Sequence, residues 1–366
     1  MKKVALTMIV KNEERCLARC LESVKPWVDE MIVLDTGSTD RTKEIARELG
    51  ATVYERRWTN DFAAARNAAL AKSDADWNLV LDADEWIVAG GEQLKALKHD
   101  TRRIILNVRI DSDLGSEQAH LNTSHHIACI LPKGVRYRGK IHEQPAHNLP
   151  VIDSDIIARH DGYMPAQMQN KRGRNMELLL EKLKEDPDVP YYNFQLGKEY
   201  DVQNEPAKAV EYYERAYKLF DQRPPWLHDM VIRMIECMKS IGRIEDAMIF
   251  ASDEMPHWDH SPDFHLTVGS LLLEQMNRRP EQGPHLLPMM EECWLKALAI
   301  GDTSDLPGSL SGRGSFIAAQ QLWALYDARN DVEKAAKYDK LYKKLYQEYQ
   351  ASIRHSHDQA GETNPA

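Results

Sequence analysis

A chain of 366 residues, 43% hydrophobic and 28% charged, has the composition of a soluble globular protein of roughly two or three domains. Its formal net charge of −10 leaves no basic excess to neutralise phosphates, which argues against nucleic acid as the main partner. No stretch approaches the roughly 20 apolar residues of a membrane span, and five scattered cysteines make no secreted disulfide framework, so a cytoplasmic chain is expected.

The run Val4–Val10 reads as a first strand; it is too short for a secretory leader and meets Lys11, Asn12, Glu13 and Glu14. Residues 14–25 have helical spacing, with Leu17, Leu21 and Val24 on one face, and stop at Pro26. Cys16 and Cys20 on that helix read as small buried apolar residues. Residues 30–34 form a second strand, followed by the turn Asp35-Thr36-Gly37-Ser38-Thr39-Asp40. A helix then runs to about Leu49, Gly50 ends it, and 51–54 give a third strand. Residues 61–72 are helical, and 76–81 form a fourth strand that ends abruptly in Asp82, Asp84 and Glu85. Strand–helix alternation at this spacing predicts a largely parallel sheet, with ligands gathering beyond the carboxyl ends of its strands.

That rule brings three polar clusters to one crevice: Lys11–Glu13 after the first strand, Asp35 after the second, Asp82 and Asp84 after the fourth. A nucleotide fits such a crevice. Asp35 can accept from a base N–H, Asp82 can meet a ribose hydroxyl, and Asp84 can hold a hard divalent cation beside a diphosphate. The bland alternatives are an acidic turn closing a strand and a well-capped strand-to-helix connection.

Four segments occur in order: Val10-Lys11-Asn12-Glu13, Val33-Leu34-Asp35-Thr36-Gly37-Ser38-Thr39-Asp40, Asp61-Phe62-Ala63-Ala64-Ala65-Arg66-Asn67 and Leu81-Asp82-Ala83-Asp84-Glu85. Together they resemble the nucleotide-sugar half of a family 2 glycosyltransferase, which implies an α/β GT-A domain, Rossmann-like with a mostly parallel sheet. The resemblance implies that Asp35 contacts uracil and that Asp82 and Asp84 bind ribose and a Mn2+ or Mg2+ ion. It further implies that Val10, Asn12, Glu13, Arg66, Asn67 and Ala83 line the UDP-sugar pocket. For Arg66 and Asn67 the alternative is a surface arginine and a helix-interior amide.

Residues 104–110 and 127–131 read as strands, and the polar stretch 111–126 between them as a loop, either facing an acceptor or simply connecting a hairpin. Arg136-Tyr137-Arg138-Gly139-Lys140-Ile141-His142-Glu143-Gln144 then gives a bend and a polar cluster. An inverting sugar transfer needs one base, and Glu143 is favoured over His142. The segment resembles the Arg-Gly-x-Ile-His-Glu of the tetratricopeptide-linked branch of these enzymes. His160 ends a later short strand, and by resemblance it is a further metal ligand. Lys171 and Arg172 open a helix, where cations suit phosphate oxygens or a solvated face equally.

From Pro190 only helical patterns remain. A 34-residue tetratricopeptide template started there places Leu196, Gly197 and Tyr200 at positions 7, 8 and 11, and Ala209, Tyr213 and Ala216 at 20, 24 and 27. A second register from Phe316 places Leu322, Trp323, Tyr326 and Ala335 at positions 7, 8, 11 and 20. Met234, Met238, Ala247 and Ala251, then Val268-Gly269 and Trp294–Ala297, suit degenerate repeats, with a proline-containing insertion around Arg279–Pro288. The expected organisation is therefore 1–170 as the GT-A domain, 171–352 as an all-α repeat array of about four helical pairs, and a polar, disordered tail 353–366.

Such arrays bind extended peptides or other subunits. The architecture resembles bacterial glycosyltransferases with tetratricopeptide repeats, including the sublancin-type enzymes that glycosylate Cys or Ser of peptides. It implies a metal-dependent inverting hexosyltransferase using UDP-glucose or a close relative, with a peptide or protein acceptor and dimerisation through the repeats. The alternatives are a cell-surface polysaccharide or lipid-linked acceptor, and a repeat scaffold carrying a silent nucleotide-sugar fold.

Overall fold

The computed structural model describes the backbone of all residues except 117–118, 161–164, 304 and 362–366, and side chains outside 113–122, 161–174, 304 and 353–366. Two compact units result. One comprises Met1–His120 and Ser124–Lys171, the other Leu121–Thr123 and Arg172–Ala366.

The first unit is built on one eight-stranded sheet. Its strands are β1 (Val4–Val10), β2 (Glu30–Asp35), β3 (Thr52–Glu55), β4 (Trp77–Val80), β5 (Glu85–Ala89), β6 (Ile105–Ser116), β7 (Ala119–Pro132) and β10 (Val151–His160). Their order is β3-β2-β1-β4-β7-β6-β10-β5. Pairings β2–β3, β1–β2, β1–β4 and β6–β10 are parallel, while β4–β7 and β5–β10 are antiparallel. A separate hairpin joins β8 (Arg136–Arg138) to β9 (Gln144–Ala146). Continuous apolar sequence in β1 and β2 follows from burial on both faces, as parallel strands require.

Helices α1 (Leu17–Val24), α2 (Thr42–Glu48), α3 (Phe62–Leu70) and the short α4 (Gln93–Ala96) flank these strands. In α1 the buried residues Leu17, Cys20, Leu21 and Val24 keep helical spacing. The helix begins at Leu17 rather than residue 14, because Glu14 is held outside it: its amide donates to Asp40 Oδ2 and its carboxylate accepts from the Arg41 amide. All five cysteines are buried and free, and burial, reinforced by Glu13, pushes the Cys16 thiol up to about 12.

The polar stretch 111–126 is not a loop. β6 continues to Ser116 and β7 starts at Ala119, so most of it is extended strand. Ladder hydrogen bonds are made by the main chain, and a strand beyond the core needs no apolar side chains to keep them.

The second unit is helical. After α5 (Pro165–Glu185) come the pairs α6 (Pro190–Val202) with α7 (Pro206–Leu219), α8 (Leu227–Ser240) with α9 (Ile244–Glu254), α10 (Pro262–Arg278) with α11 (Gly283–Ile300), and α12 (Phe316–Ala328) with α13 (Val332–Gly361). Four pairs match the expected repeats. Leu196, Ala209, Tyr213 and Ala216 are fully buried. Gly197 is required by packing, since a Cβ there would stand 2.5 Å from the Tyr213 ring, and one on Gly269 would overlap Trp294. The expected insertion around Arg279–Pro288 is instead a single tight turn and the start of α11, with Pro288 inside the helix. Beyond Ser352, where a disordered tail was expected, α13 continues to Gly361. Among the described residues no helix is long and apolar enough to cross a membrane.

Candidate donor-sugar site at the strand ends

Parallel register brings the carboxyl ends of β1, β2 and β4 together: Val10 lies opposite Asp35, and Thr7 opposite Val80. Asp35 ends β2 with 1% of its surface exposed. Its Oδ1 accepts the amides of Gly37 and Ser38, each at 2.9 Å, which folds the turn back on the strand. Its Oδ2 is buried with no hydrogen-bond partner. A carboxylate oxygen left so is costly unless something outside the chain supplies a donor.

The first cluster builds the wall of this turn. The Val10 carbonyl accepts both the amide and the hydroxyl of Thr36, at 2.9 and 3.0 Å. Asn12, at φ +59°, donates its amide to Ser38 Oγ and accepts the Thr39 amide on Oδ1. The Glu13 amide donates to Thr42 Oγ1 at 2.7 Å. Val10 and Asn12, expected to line the donor pocket, thus spend these groups on the turn that carries Asp35.

After β4 the chain makes a tight turn through Asp82, Ala83 and Asp84. The Asp82 amide donates to Glu85 Oε2 and the Glu85 amide donates to the Asp82 carbonyl, at 2.9 and 3.0 Å. Ala83, between them, is 4% exposed. The Asp82 carboxylate is half-exposed, whereas Asp84 is buried. Glu85, a member of the acidic run given no role from sequence, is pushed up to about 8 by burial and then by the Asp82 charge.

His160 ends β10 and pairs with Glu85 across one edge and Ser112 across the other. Its Nε2 lies 3.4 Å from Asp84 Oδ2, and its Nδ1 is 3.2 Å from Ser112 Oγ. In the tautomer whose Nδ1–H donates to Ser112, the one a bound cation would require, Nε2 can ligate beside the Asp84 carboxylate; protonated on Nε2, the ring instead pairs with it. One imidazole nitrogen and one carboxylate are apt donors for a divalent cation, provided that diphosphate oxygens and water complete the set. That proviso is necessary, because among the described residues no three His, Cys, Asp or Glu side chains can hold a metal alone.

The second wall comes from α3. Asp61 caps it, its Oδ1 accepting the Ala64 amide at 2.8 Å, and the Phe62 amide donates to the Lys140 carbonyl. From this helix Arg66 donates Nε to Glu143 Oε1 and Nη2 to Asp82 Oδ1, the latter at 2.9 Å, with its guanidinium 5.6 Å from the Tyr137 ring centroid. Burial pulls the guanidinium down, but the charges of Asp82 and Glu143 outweigh it and hold it well above its usual value. Asn67 departs from the expectation that it lines the pocket. Its amide nitrogen donates to the Tyr137 carbonyl and its Oδ1 accepts the Tyr137 amide, so both ends are committed to the main chain of β8. His142 beside Glu143 sits at φ +49°, following Gly139 at +99°, a bend that few side chains tolerate. Lys171 and Arg172 lie outside the described side chains. Tyr137 and Glu85 were not foreseen; Tyr137 lies within the quoted motif, yet nothing in it distinguishes a buried ring under an arginine.

A family model described as glycosyl transferase family 2 matches residues 6–155. An uncharacterized glycosyltransferase of Rickettsia felis is 30% identical over 208 residues, 48% of this chain and 73% of that protein. The chain belongs to glycosyl transferase family 2. It is also similar to the SPbeta prophage-derived glycosyltransferase SunS of Bacillus subtilis, 29% identical over 241 residues, 62% of this chain and 56% of SunS. A TPR repeat-containing protein of Synechococcus elongatus is 57% identical over 88 residues, 24% of this chain and 22% of its own. The chain thus spans from about a fifth to just over half the length of these two relatives. Among solved structures, glucosyl-3-phosphoglycerate synthase from Mycobacterium tuberculosis with Mn2+, UDP and phosphoglyceric acid is similar at 23% identity, covering 30% of this chain and 43% of that one, with a TM-score of 0.25, too slight a likeness to bear on function.

Proposed function

We propose that this family 2 chain transfers a hexosyl group, with inversion, from a UDP-sugar (UDP-glucose or a close relative) to a side chain of a peptide or protein, assisted by Mn2+ or Mg2+. The observation that carries the reading is the convergence of Asp84 and His160, from strand ends 76 residues apart in sequence (160 − 84), at 3.4 Å beside Asp82. Two ligating groups on rigid strand ends have no packing purpose.

In this reading the buried, unpartnered Oδ2 of Asp35 accepts the imide N–H of uracil. Asp82, with one oxygen on Arg66, has its other oxygen for a ribose hydroxyl, and Asp84 with His160 holds the cation. When bound, the cation supplies neutralising charge to the diphosphate that departs. Glu143 takes the proton from the acceptor hydroxyl or thiol as that atom forms its bond to the anomeric carbon; the bond from that carbon to the diphosphate oxygen breaks, and UDP leaves with the electron pair. Arg66 fixes Glu143 by its Oε1, which orients the second oxygen, and His142 is the alternative base. The peptide acceptor rests on the resemblance to sublancin-type enzymes and on the helical array.

The test is calorimetric titration of UDP with and without Mn2+, followed by intact-mass analysis of candidate peptides incubated with a UDP-sugar panel. Expected are Mn2+-dependent UDP binding, its loss in Asp84→Ala, and a hexose increment on peptide. UDP binding in neither condition overturns the donor site; a glycan extended while peptides stay unmodified overturns the acceptor.

A further inference from the structure

The turns within pairs are short, residues 203–205, 241–243 and 329–331 among them, and the connections between earlier pairs, 220–226 and 255–261, are about half the length of the one that follows α11. Between α11 and α12 the connection instead runs from 301 to 315, and residues 307–313 of it lie on the face shared by α8 and α10. It is held there almost entirely by its main chain. His228 of α8, fully buried, donates Nδ1–H to the Pro307 carbonyl at 2.8 Å and accepts on Nε2 from Ser261 Oγ, the cap of α10. The Leu310 amide donates to Oδ1 of Asp263, which is 1% exposed. Gly308, at φ +79°, lies flat on α8: a Cβ there would stand 2.6 Å from Asp229.

Besides the buried Ser309 beside Asp263, one charged loop side chain reaches into the face. Arg313 donates to Thr267 Oγ1 at 2.9 Å, yet its Nε stops 3.6 Å from Asp263 Oδ1, short of a hydrogen bond. A buried carboxylate with its cation just out of reach is an acceptor imperfectly served by its own loop. Within the loop, Asp302 accepts the amides of Gly312 and Gly314 and the hydroxyl of Ser315, and outside it Thr123 donates its hydroxyl to the Ser309 carbonyl at 3.1 Å and pairs with Leu310. Leaving the face keeps the Asp302 bonds and releases the contacts to Thr123 along with those to α8 and α10.

A segment serving only to cover a core would bury large apolar side chains. This one leaves its two leucines, Leu306 and Leu310, only partly buried, and its carbonyl, amide and guanidinium contacts are those any extended arginine-bearing segment offers. We propose that the face of α8 and α10 around His228, Asp263 and Thr267 is a recognition site for an extended, arginine-bearing peptide segment, and that residues 305–315 are its built-in, displaceable occupant. A tethered occupant lowers the apparent affinity of any incoming peptide by the fraction of time the face is free.

The probe is a fluorescent peptide of residues 305–315, titrated against the full-length chain by anisotropy. Gly308→Val, whose side chain presses on Asp229, with Arg313→Ala levers the loop off without substituting any residue of α8 or α10. Half-saturation should fall about tenfold or more against the native chain. Asp263→Asn added to that variant, or a probe whose arginine is replaced by alanine, should abolish the gain. Should the double variant not fold, Arg313→Ala alone, altering a part-exposed side chain, should still tighten binding about threefold. Equal binding to native and loop-released chains, binding to neither, or a gain that survives Asp263→Asn overturns the proposal.

Discussion

Arg66→Met tests whether the Arg66 bridge holds the first unit together. The native side chain is 14% exposed and lies between Glu143, 9% exposed, and Asp82, 48% exposed. Methionine keeps the bulk and removes the charge. Glu143 then remains as a nearly buried carboxylate without its cation, and stranding one member of a buried pair costs about 3–5 kcal/mol. The Asp82 arm adds little, since a half-exposed pair is worth about 0–1 kcal/mol. At the low end of that range the expected loss is about 3 kcal/mol, which at 1.36 kcal/mol per decade is an increase in opening of roughly 150-fold.

Buried cysteines supply the assay. Cys129 is 5% exposed in β7 of the first unit, and Cys237 is 3% exposed in α8 of the second. Alkylation of Cys129, resolved by peptide mass spectrometry, follows the open population when reclosing is fast. It should accelerate by about two orders of magnitude in Arg66→Met while Cys237 labels at the native rate. Glu143→Gln should cost less, and the double variant should fall short of the summed losses by about 2 kcal/mol, since the two groups act as one pair. A Cys129 rate within twofold of native, or strict additivity, refutes the bridge as a structural element and leaves it only a chemical role.

Gly197→Ala and Gly269→Ala drive a methyl against Tyr213 and Trp294, and each should cost the second unit about 1–3 kcal/mol despite the better helix propensity of alanine; faster Cys237 labelling with Cys129 unchanged is the readout, and native rates would show that the pairs repack freely. Asp35→Asn keeps Oδ1 for the Gly37 and Ser38 amides but turns Oδ2 into a donor, so thermal stability should stay near native while UDP affinity falls about tenfold, the worth of a charge-assisted hydrogen bond; unchanged affinity removes Asp35 from the donor site. Glu254, 1% exposed, is held below the usual 4.5 because hydrogen bonds from Arg223, Tyr217 and Trp258 outweigh burial, the largest single influence, which alone would raise it. Its native value being the lower one, the stability it contributes is complete above 4.5 and is lost as pH falls through the depressed native value. Glu254→Gln should therefore lower the urea midpoint at neutral pH and flatten its decline in acid; an identical acid limb in both proteins would contradict the assignment.

Local pattern revealed most of the fold. Apolar runs the length of β1, β2 and β4, and the helical spacing of Leu17, Leu21 and Val24, exist because each element buries a face of its own, and that pressure is written within ten residues. The rule that parallel strands present their carboxyl ends to ligands then predicted one crevice for Asp35, Asp82 and Asp84, whereas His160 was reached only through the resemblance. Elements whose support is not their own side chains stayed hidden. The far halves of β6 and β7 carry polar residues and are strands by main-chain pairing, and β8 and β9 are three residues each. The loop 301–315 likewise reads as polar filler until Asp302, His228 and Asp263 are seen to take its amides and carbonyl.

The pairing of Arg66 with Glu143, 77 residues apart, was illegible for a further reason, and Asn67 supplies it. An asparagine offering a carbonyl and an amide to the Tyr137 main chain stands in for a neighbouring strand, so α3 grips β8 as a sheet partner would. The grip comes from the residue adjacent to Arg66, and the bend through Gly139 and His142 then delivers Glu143 to that arginine. Adjacency in sequence couples the two tasks: whatever shifts β8 relative to α3 shifts Glu143 relative to Arg66 and, through Arg66, relative to Asp82. The proposed base and the proposed ribose contact are therefore referenced to one turn of one helix. This explains how a carboxylate on a strained, irregular segment can be placed as accurately as one on a strand end.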